Sequence, residues 1–354
     1  MDKIETFLQS LLSAPGLSGF EEPVSRQIAD AWRPLTDELT TSPMGSLHGL
    51  RKAASSTPRP SVMIAAHMDA IGLMVKEIQG AFLKVSRIGG VDPRVLPGQP
   101  VLVHGRRQIP GIIQMIPDRF LKTSAAGSPP DLSRLFVDTG CTEKELRQLV
   151  QPGDLVSFAS TPMHHEGGYI SGHSLDNRAS VAAITVCLQE LRRYQLEWNL
   201  WCVATVMEEE HLLGALTSTF ALKPEIGIAV DVTFAEEPGL KTYTTFPLGK
   251  GPTIGIGANV HPALHRKFTQ IAEEIDLPFA IETMPRGSGT DAMAIQITAS
   301  GVPTMVVGIP IRYMHTPYEL TSMADIRRTG RLLARFVTSL EEDTLATLFA
   351  GGDR

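Results

Sequence analysis

Four short apolar runs in this sequence each stop at residues able to bind a divalent cation. Ser61 to Ala66 runs into His67 and Asp69, Asn199 to Met207 into Glu208-Glu209-Glu210, and Glu225 to Val230 into Asp231, while Pro303 to Ile309 is followed by Tyr313-Met314-His315. Asp176, within Ser174-Leu175-Asp176-Asn177-Arg178, precedes a helical pattern and is placed to face the same edge. If the runs are strands of one sheet, their ends share the edge at which open α/β sheets bind ligands. Two His among several carboxylates form the nitrogen and oxygen donor set of zinc, cobalt or manganese. Each piece alone has an ordinary reading: a hydrogen-bonded strand-end His, a solvated glutamate turn, an Asp231 that caps its loop, an Asp176 that caps its helix. Their joint position favours metal, because clustered carboxylates repel one another and raise their own pKa values unless cations compensate them.

With five ligands for two ions, one Asp must bridge if each ion is to receive two terminal protein ligands and leave room for a shared water. Asp176 suits the bridge because it alone comes from a separate loop. Strand geometry adds a constraint. Successive side chains of a strand point to opposite faces, so Glu208 and Glu209 reach one metal pair only if the chain turns there.

The elements that must hold these residues read as alternating α and β. Ile4, Phe7, Leu8, Leu11, Leu12 and then Val24, Ile28, Trp32 fall at helical spacing, with Ser18-Gly19-Phe20-Glu21 predicting a capping box before the second helix. From Ile71 to about Pro162 the texture changes to short β-like runs, 71–78, 82–88, 100–104 and 109–116, with one helix over 142–150 and an exposed loop over 123–130. Beyond Asp176 the pattern predicts helices near 181–191, 212–220, 262–275, 291–299 and 324–340, and strands over 199–207, 225–230, 252–257, 279–283 and 303–309. The fold expected is α/β, a mixed sheet covered by helices on both faces, with a small β-rich insertion. Residues 1–68 and 166–354 make the main domain and 69–165 the insertion, in keeping with the about two domains that the length allows at roughly 150 residues per domain.

Composition narrows the partners. A net charge of −6 offers no counterion-release route to nucleic acid or to an anionic membrane. The longest nearly apolar stretch, Ala182 to Leu188, falls far short of the roughly 18 residues of a membrane span. Asp2 and Glu5 break any secretory-signal pattern, and Cys141, Cys187 and Cys202 without CxxC spacing fit a reducing, cytoplasmic setting.

The segments Ala66-His67-Met68-Asp69-Ala70-Ile71-Gly72, Leu175-Asp176-Asn177-Arg178, Val206-Met207-Glu208-Glu209, Asp231-Val232-Thr233, Gly289-Thr290-Asp291-Ala292 and Arg312-Tyr313-Met314-His315-Thr316-Pro317 together resemble the M42 family of dinuclear metallo-aminopeptidases. The likeness runs through nearly the whole chain and implies a zinc-peptidase-like fold. It implies that His67 and Asp231 hold one metal, Glu209 and His315 the other, and Asp176 both. Glu208 would be the general base, and Asp69 would orient His67. Two divalent ions per subunit, zinc or cobalt with manganese as a third option, would then remove N-terminal residues from short peptides by attack of a metal-bridging water. The resemblance also implies that the insertion dimerises and that dimers assemble into a hollow tetrahedral homododecamer.

Two other classes of function compete. A non-catalytic peptide-binding or assembly protein of the same fold would lack a ligand or the base, and all are present here. A glycoside hydrolase is suggested by the endoglucanase label that some family members carry, but the ligand set around the carboxylates speaks against it. Ala70 stands where many relatives carry Glu, and Glu210-His211 replaces a small apolar pair, departures that bear on the specificity pocket and the metal preference. His48, His104, His173, His261 and His265 match no metal position, and His164-His165 read as a surface pair.

Overall fold

The computed structural model describes residues 3–55, 57–120, 131–241 and 244–349, and the loop expected over 123–130 lies outside the described residues. Eleven strands form one mixed sheet. At its centre Asn199–Thr205, Ser61–His67, Ile226–Phe234 and Thr304–Arg312 lie side by side and parallel. Parallel strands are covered on both faces, so they read as unbroken apolar runs. Ser61–His67 is buried at every position. Because the four run the same way, all their carboxyl ends fall on one edge, with Thr205 paired to His67 and Asp231 to Gly308.

Antiparallel strands extend the sheet on both sides. Leu47–Arg51 and Glu38–Thr41 follow Asn199–Thr205, while Glu319–Ser322, Tyr169–Gly172 and Met163–His165 follow Thr304–Arg312. Met163–His165 carries the exposed pair His164-His165 and hydrogen-bonds to Tyr169–Gly172. Helix Leu175–Leu191, buried along most of its length, packs on the central strands and against helix Met323–Thr338. Trp32, Ile64, Leu188, Phe268 and Phe336 are fully buried in the main core. No helix among the described residues is long and apolar enough to cross a membrane.

The inserted segment is a closed antiparallel barrel of Gly72–Gln79, Phe82–Ile88, Leu135–Asp138, Gln108–Met115, Pro100–His104 and Leu155–Phe158. Its strands alternate inward and outward, as Gln108–Met115 does with Ile109 and Ile113 inside. Closure pairs every strand on both sides. The barrel has its own core, including Leu73, Val85, Val103 and Val137. Helix Glu143–Leu149 opens with a complete capping box from Thr142 and Glu145.

Arg178 ties the N-terminal segment to the helix that carries Asp176. Its buried guanidinium donates to the carbonyls of Leu11, Ala14 (2.7 Å), Gly16 (3.4 Å) and Met68 (3.3 Å). Arg178→Met strands several buried acceptors, each worth about 1–3 kcal/mol. The variant is expected to lose about 3 kcal/mol or more of stability, read as a lower urea midpoint at unchanged slope. A midpoint equal to wild type would show that these contacts carry no net stability.

Candidate metal centre

His67 is the last residue of its strand, and its two ring nitrogens face different partners. Nε2 lies 3.1 Å from Asp176 Oδ1, 3.7 Å from Glu208 Oε2 and 3.8 Å from Asp231 Oδ1, while Nδ1 lies 3.2 Å from the Asp69 carbonyl oxygen. His315 completes the other side. Its Nε2 lies 3.3 Å from Asp176 Oδ2 and 3.4 Å from Glu209 Oε1. Asp176 therefore presents one carboxylate oxygen to each histidine. The ligating atoms of His67, Asp176 and Glu209, and those of His67, Glu208 and Asp231, form two groups within 4.8 Å.

The backbone leaves regular geometry to make this possible. Asp176 and Asn177, joined by a cis peptide bond, have non-helical dihedrals at the start of their helix, and Asn177 Nδ2 donates to the Val230 carbonyl at 2.9 Å. Asp176 thus turns its carboxylate into the cleft. The turn required for the glutamates is also present. The strand ends at Thr205 and Met207 takes a left-handed φ of 52°. Asp69 holds the loop that follows: its carboxylate accepts the Glu208 N–H at 3.0 Å, the Glu209 N–H at 3.2 Å and the Ser18 hydroxyl at 2.7 Å.

Here the expected capping box fails. Ser18 is spent on Asp69, and Glu21 accepts the N–H groups of Gly19 (2.7 Å) and Met207 (3.1 Å), so neither side chain caps the helix Glu22–Trp32. Both brace the site instead. Asp291 likewise makes no side-chain cap for helix Ala292–Ile297 and accepts the Thr205 hydroxyl at 2.6 Å.

Glu319 was not singled out by the sequence pattern. It is buried, and accepts the Asp176 N–H at 3.0 Å through Oε2 and the His315 N–H at 3.0 Å through Oε1. One carboxylate so sets the spacing of two site residues. An acidic residue four positions after His315, inside a short strand, was the signal available. Glu282 was missed too: it lines the cleft and accepts the hydroxyls of Thr233 (2.7 Å) and Thr253 (2.6 Å). Several other histidines lie in hydrogen bonds away from the site, His48 with Ser218, His104 with Ser157 and His265 with the Gly255 carbonyl.

The cleft has a volume of about 470 Å³ and no Lys or Arg among its described lining residues. Burial pushes Glu208, Glu209 and Asp231 above the usual carboxylate range. Asp176 goes the other way: burial opposes it, but hydrogen bonds to His315 and His67 hold it below that range. Burial would also lower His67, yet the Glu208 charge and the bonds to Asp176 and Asp69 carry it well above its ordinary value. His315 is pushed up to about 11 by its bonds to Asp176 and Glu209. A donor set of two imidazoles and buried carboxylates, short of basic side chains, fits divalent metals.

This fold is that of a peptidase class. Residues 45–332 match the family described as M42 glutamyl aminopeptidase, and the chain belongs to the M42 aminopeptidase family. It is 33% identical over 342 residues to the lysyl aminopeptidase of Pyrococcus furiosus, covering 94% of this chain and 96% of that protein. Among solved structures, a TET aminopeptidase from a marine sediment archaeon of the Thaumarchaeota superposes with a TM-score of 0.92 at 27% identity, covering 98% of this chain and 99% of that one. The TET1 peptidase of Pyrococcus horikoshii, described as assembling into a tetrahedron or a large octahedral shell, superposes with a TM-score of 0.82 at 26% identity, covering 96% and 100%.

Two measurements test the arrangement. Glu319→Gln keeps an acceptor for one of the two N–H groups but sets an amide NH₂ against the other, so metal affinity is expected to fall on the order of 10- to 100-fold in a folded protein; unchanged affinity in a chelator competition would deny Glu319 a positioning role. The second concerns pH. With its folded value raised from 6.5 to about 11, His315 contributes stability to the ion-free chain that is full below its unfolded value and is lost as pH climbs through the raised one. An incoming ion must expel that proton. Zinc binding near neutral pH should therefore release protons and tighten as pH rises, as calorimetry in buffers of different ionisation enthalpy can count. Binding without proton release would remove His315 from the ligand set.

Proposed function

We propose that this chain is a dinuclear metal-dependent aminopeptidase that removes N-terminal residues from short peptides. The observation that carries the reading is Asp176, with one oxygen toward His67 and the other toward His315. In this reading Asp176 holds both ions, His67 and Asp231 complete one site, and Glu209 and His315 complete the other. Zinc or cobalt suits these ligands, with manganese as a third option. When bound, such ions supply Lewis acidity to the scissile carbonyl and to the attacking water.

The chain's own groups do the rest. Glu208 takes the water's proton and returns it to the leaving amine. Its carboxylate lies 3.7 Å from His67 Nε2, inside the cleft where the water would be held. Asp69 keeps Glu208 and Glu209 in register through their amides and faces the Nδ1 side of His67. A cleft lined by carboxylates without Lys or Arg favours the free ammonium of a peptide N-terminus, and so favours exopeptidase action.

The same reading extends to assembly. Residues 69–165 would form the dimerisation unit beside the catalytic domain of 1–68 and 166–354, and the dimers a homododecamer of the kind described for related TET peptidases. Cys141, Cys187 and Cys202 are free, the last two buried, in keeping with a cytoplasmic setting.

Chelation is expected to abolish peptidase activity and zinc, cobalt or manganese to restore it. Glu208→Gln should lower turnover by about 10²- to 10⁴-fold with both ions retained. Glu209→Gln should lose one ion, since a neutral amide is a poor ligand. Elemental analysis beside peptide turnover decides it: the opposite pattern would reverse the two roles, and full activity in a verified metal-free sample would sink the assignment.

A further inference from the structure

We infer that the Gly89–Gly90 turn of the inserted barrel is a positioning element of the metal centre, a bare backbone wall against which His315 and Glu209 are held. The turn follows strand Phe82–Ile88 and reaches back over the carboxyl edge of the large sheet. A methyl group on Gly90 would lie 2.5 Å from His315 Nδ1 and 2.7 Å from Cε1, closer than any side chain tolerates. One on Gly89 would lie 3.3 Å from Glu209 Oε2 and 2.7 Å from Ile71 Cγ2. The Gly89 N–H also donates to Glu210 Oε1 at 2.9 Å, which ties the turn to the loop of Glu208 and Glu209. Glu210 thus links the barrel to the site.

His315 is the ligand candidate that most needs such a wall. Its side chain is 37% exposed, against 2% for His67, 7% for Asp176, 6% for Glu209 and 8% for Asp231. One edge of its ring, Nε2, faces Asp176 and Glu209, and the Nδ1–Cε1 edge meets Gly90. The ring is pinned between the two. Displacing the turn moves the ligands assigned to one ion and spares His67 and Asp231. The barrel, whatever it adds to assembly, completes the metal site of its own chain. The inference rests on the dinuclear reading above.

Gly90→Ala is the direct test, because Gly90 lies outside the left-handed region and alanine is strained there only by the ring. Ion-free protein is titrated with zinc against a chromophoric chelator, with circular dichroism and light scattering as controls for fold and assembly. Wild type is expected to bind two ions per chain, and Gly90→Ala to keep one at wild-type affinity while the other weakens on the order of tenfold or more. Glu210→Ala, which removes the acceptor for Gly89 without adding bulk, should weaken the same ion several-fold; Glu210→Gln, which keeps a carbonyl acceptor, should restore it. If Gly90→Ala fails to fold, the Glu210 pair decides. Two equally tight ions in both Gly90→Ala and Glu210→Ala overturn the inference and leave the dinuclear reading standing, as does equal weakening of both ions. Fewer than two ions in wild type overturns the dinuclear reading itself, and the inference with it.

Discussion

Everything at the carboxyl edge of the sheet depends on how Asp69 is buried. Burial pushes its carboxyl up, but His67, the Ser18 hydroxyl and the amides of the glutamate loop together bring it below the usual range. A carboxylate so placed is costly unless every lone pair finds a donor. The donors come from three stretches far apart in sequence: the N-terminal loop, the end of strand Ser61–His67 and the turn after Thr205. Satisfying one charge therefore aligns three elements. The parallel strands bring those stretches to one edge, and Asp69 fixes their register there.

The same logic extends outward. Glu319 does for Asp176 and His315 what Asp69 does for Glu208 and Glu209: it accepts their backbone N–H groups and so sets where their side chains begin. Backbone donors are the sturdier handle, because a main chain held at its amide cannot rotate away as a side chain can.

The large features were legible because buried parallel strands are apolar on both faces. The run 61–66, the need for a turn at the glutamates and the convergence of His67, Asp176, Glu208, Glu209, Asp231 and His315 all follow from that pattern and from strand geometry, although the strand expected to reach Met207 ends at Thr205. The edge strands were not. Glu38–Thr41 is almost wholly exposed, and Leu47–Arg51 buries His48 and Gly49, so neither shows an apolar run. Glu319 and Asp69 work on backbone amides, and no side-chain spacing announces such a partner. Ser18 and Glu21 had the right residue types for a capping box. They failed as one because Asp69 and the Met207 amide, distant in sequence, offer each a tertiary partner in place of the local one.

The barrel is joined to the main domain by contacts that crowd the metal centre. Chain entry at Ile71 and chain exit near Phe158 are both held by His173, whose Nε2 lies 3.2 Å from the Ile71 carbonyl and whose ring meets that of Phe158 edge-on at 4.9 Å. Burial pushes His173 down to about 3, which favours the neutral ring in this tie. Beside it, Leu17, Ala70 and Ile88 form a small apolar cluster linking the N-terminal loop, the entry strand and the barrel. Ala70 is 1% exposed there and packs without a polar group to satisfy. On the cleft side Glu210 adds a polar link through the Gly89 N–H. The barrel is thus tied both to the N-terminal loop and to the loop that carries Glu208 and Glu209.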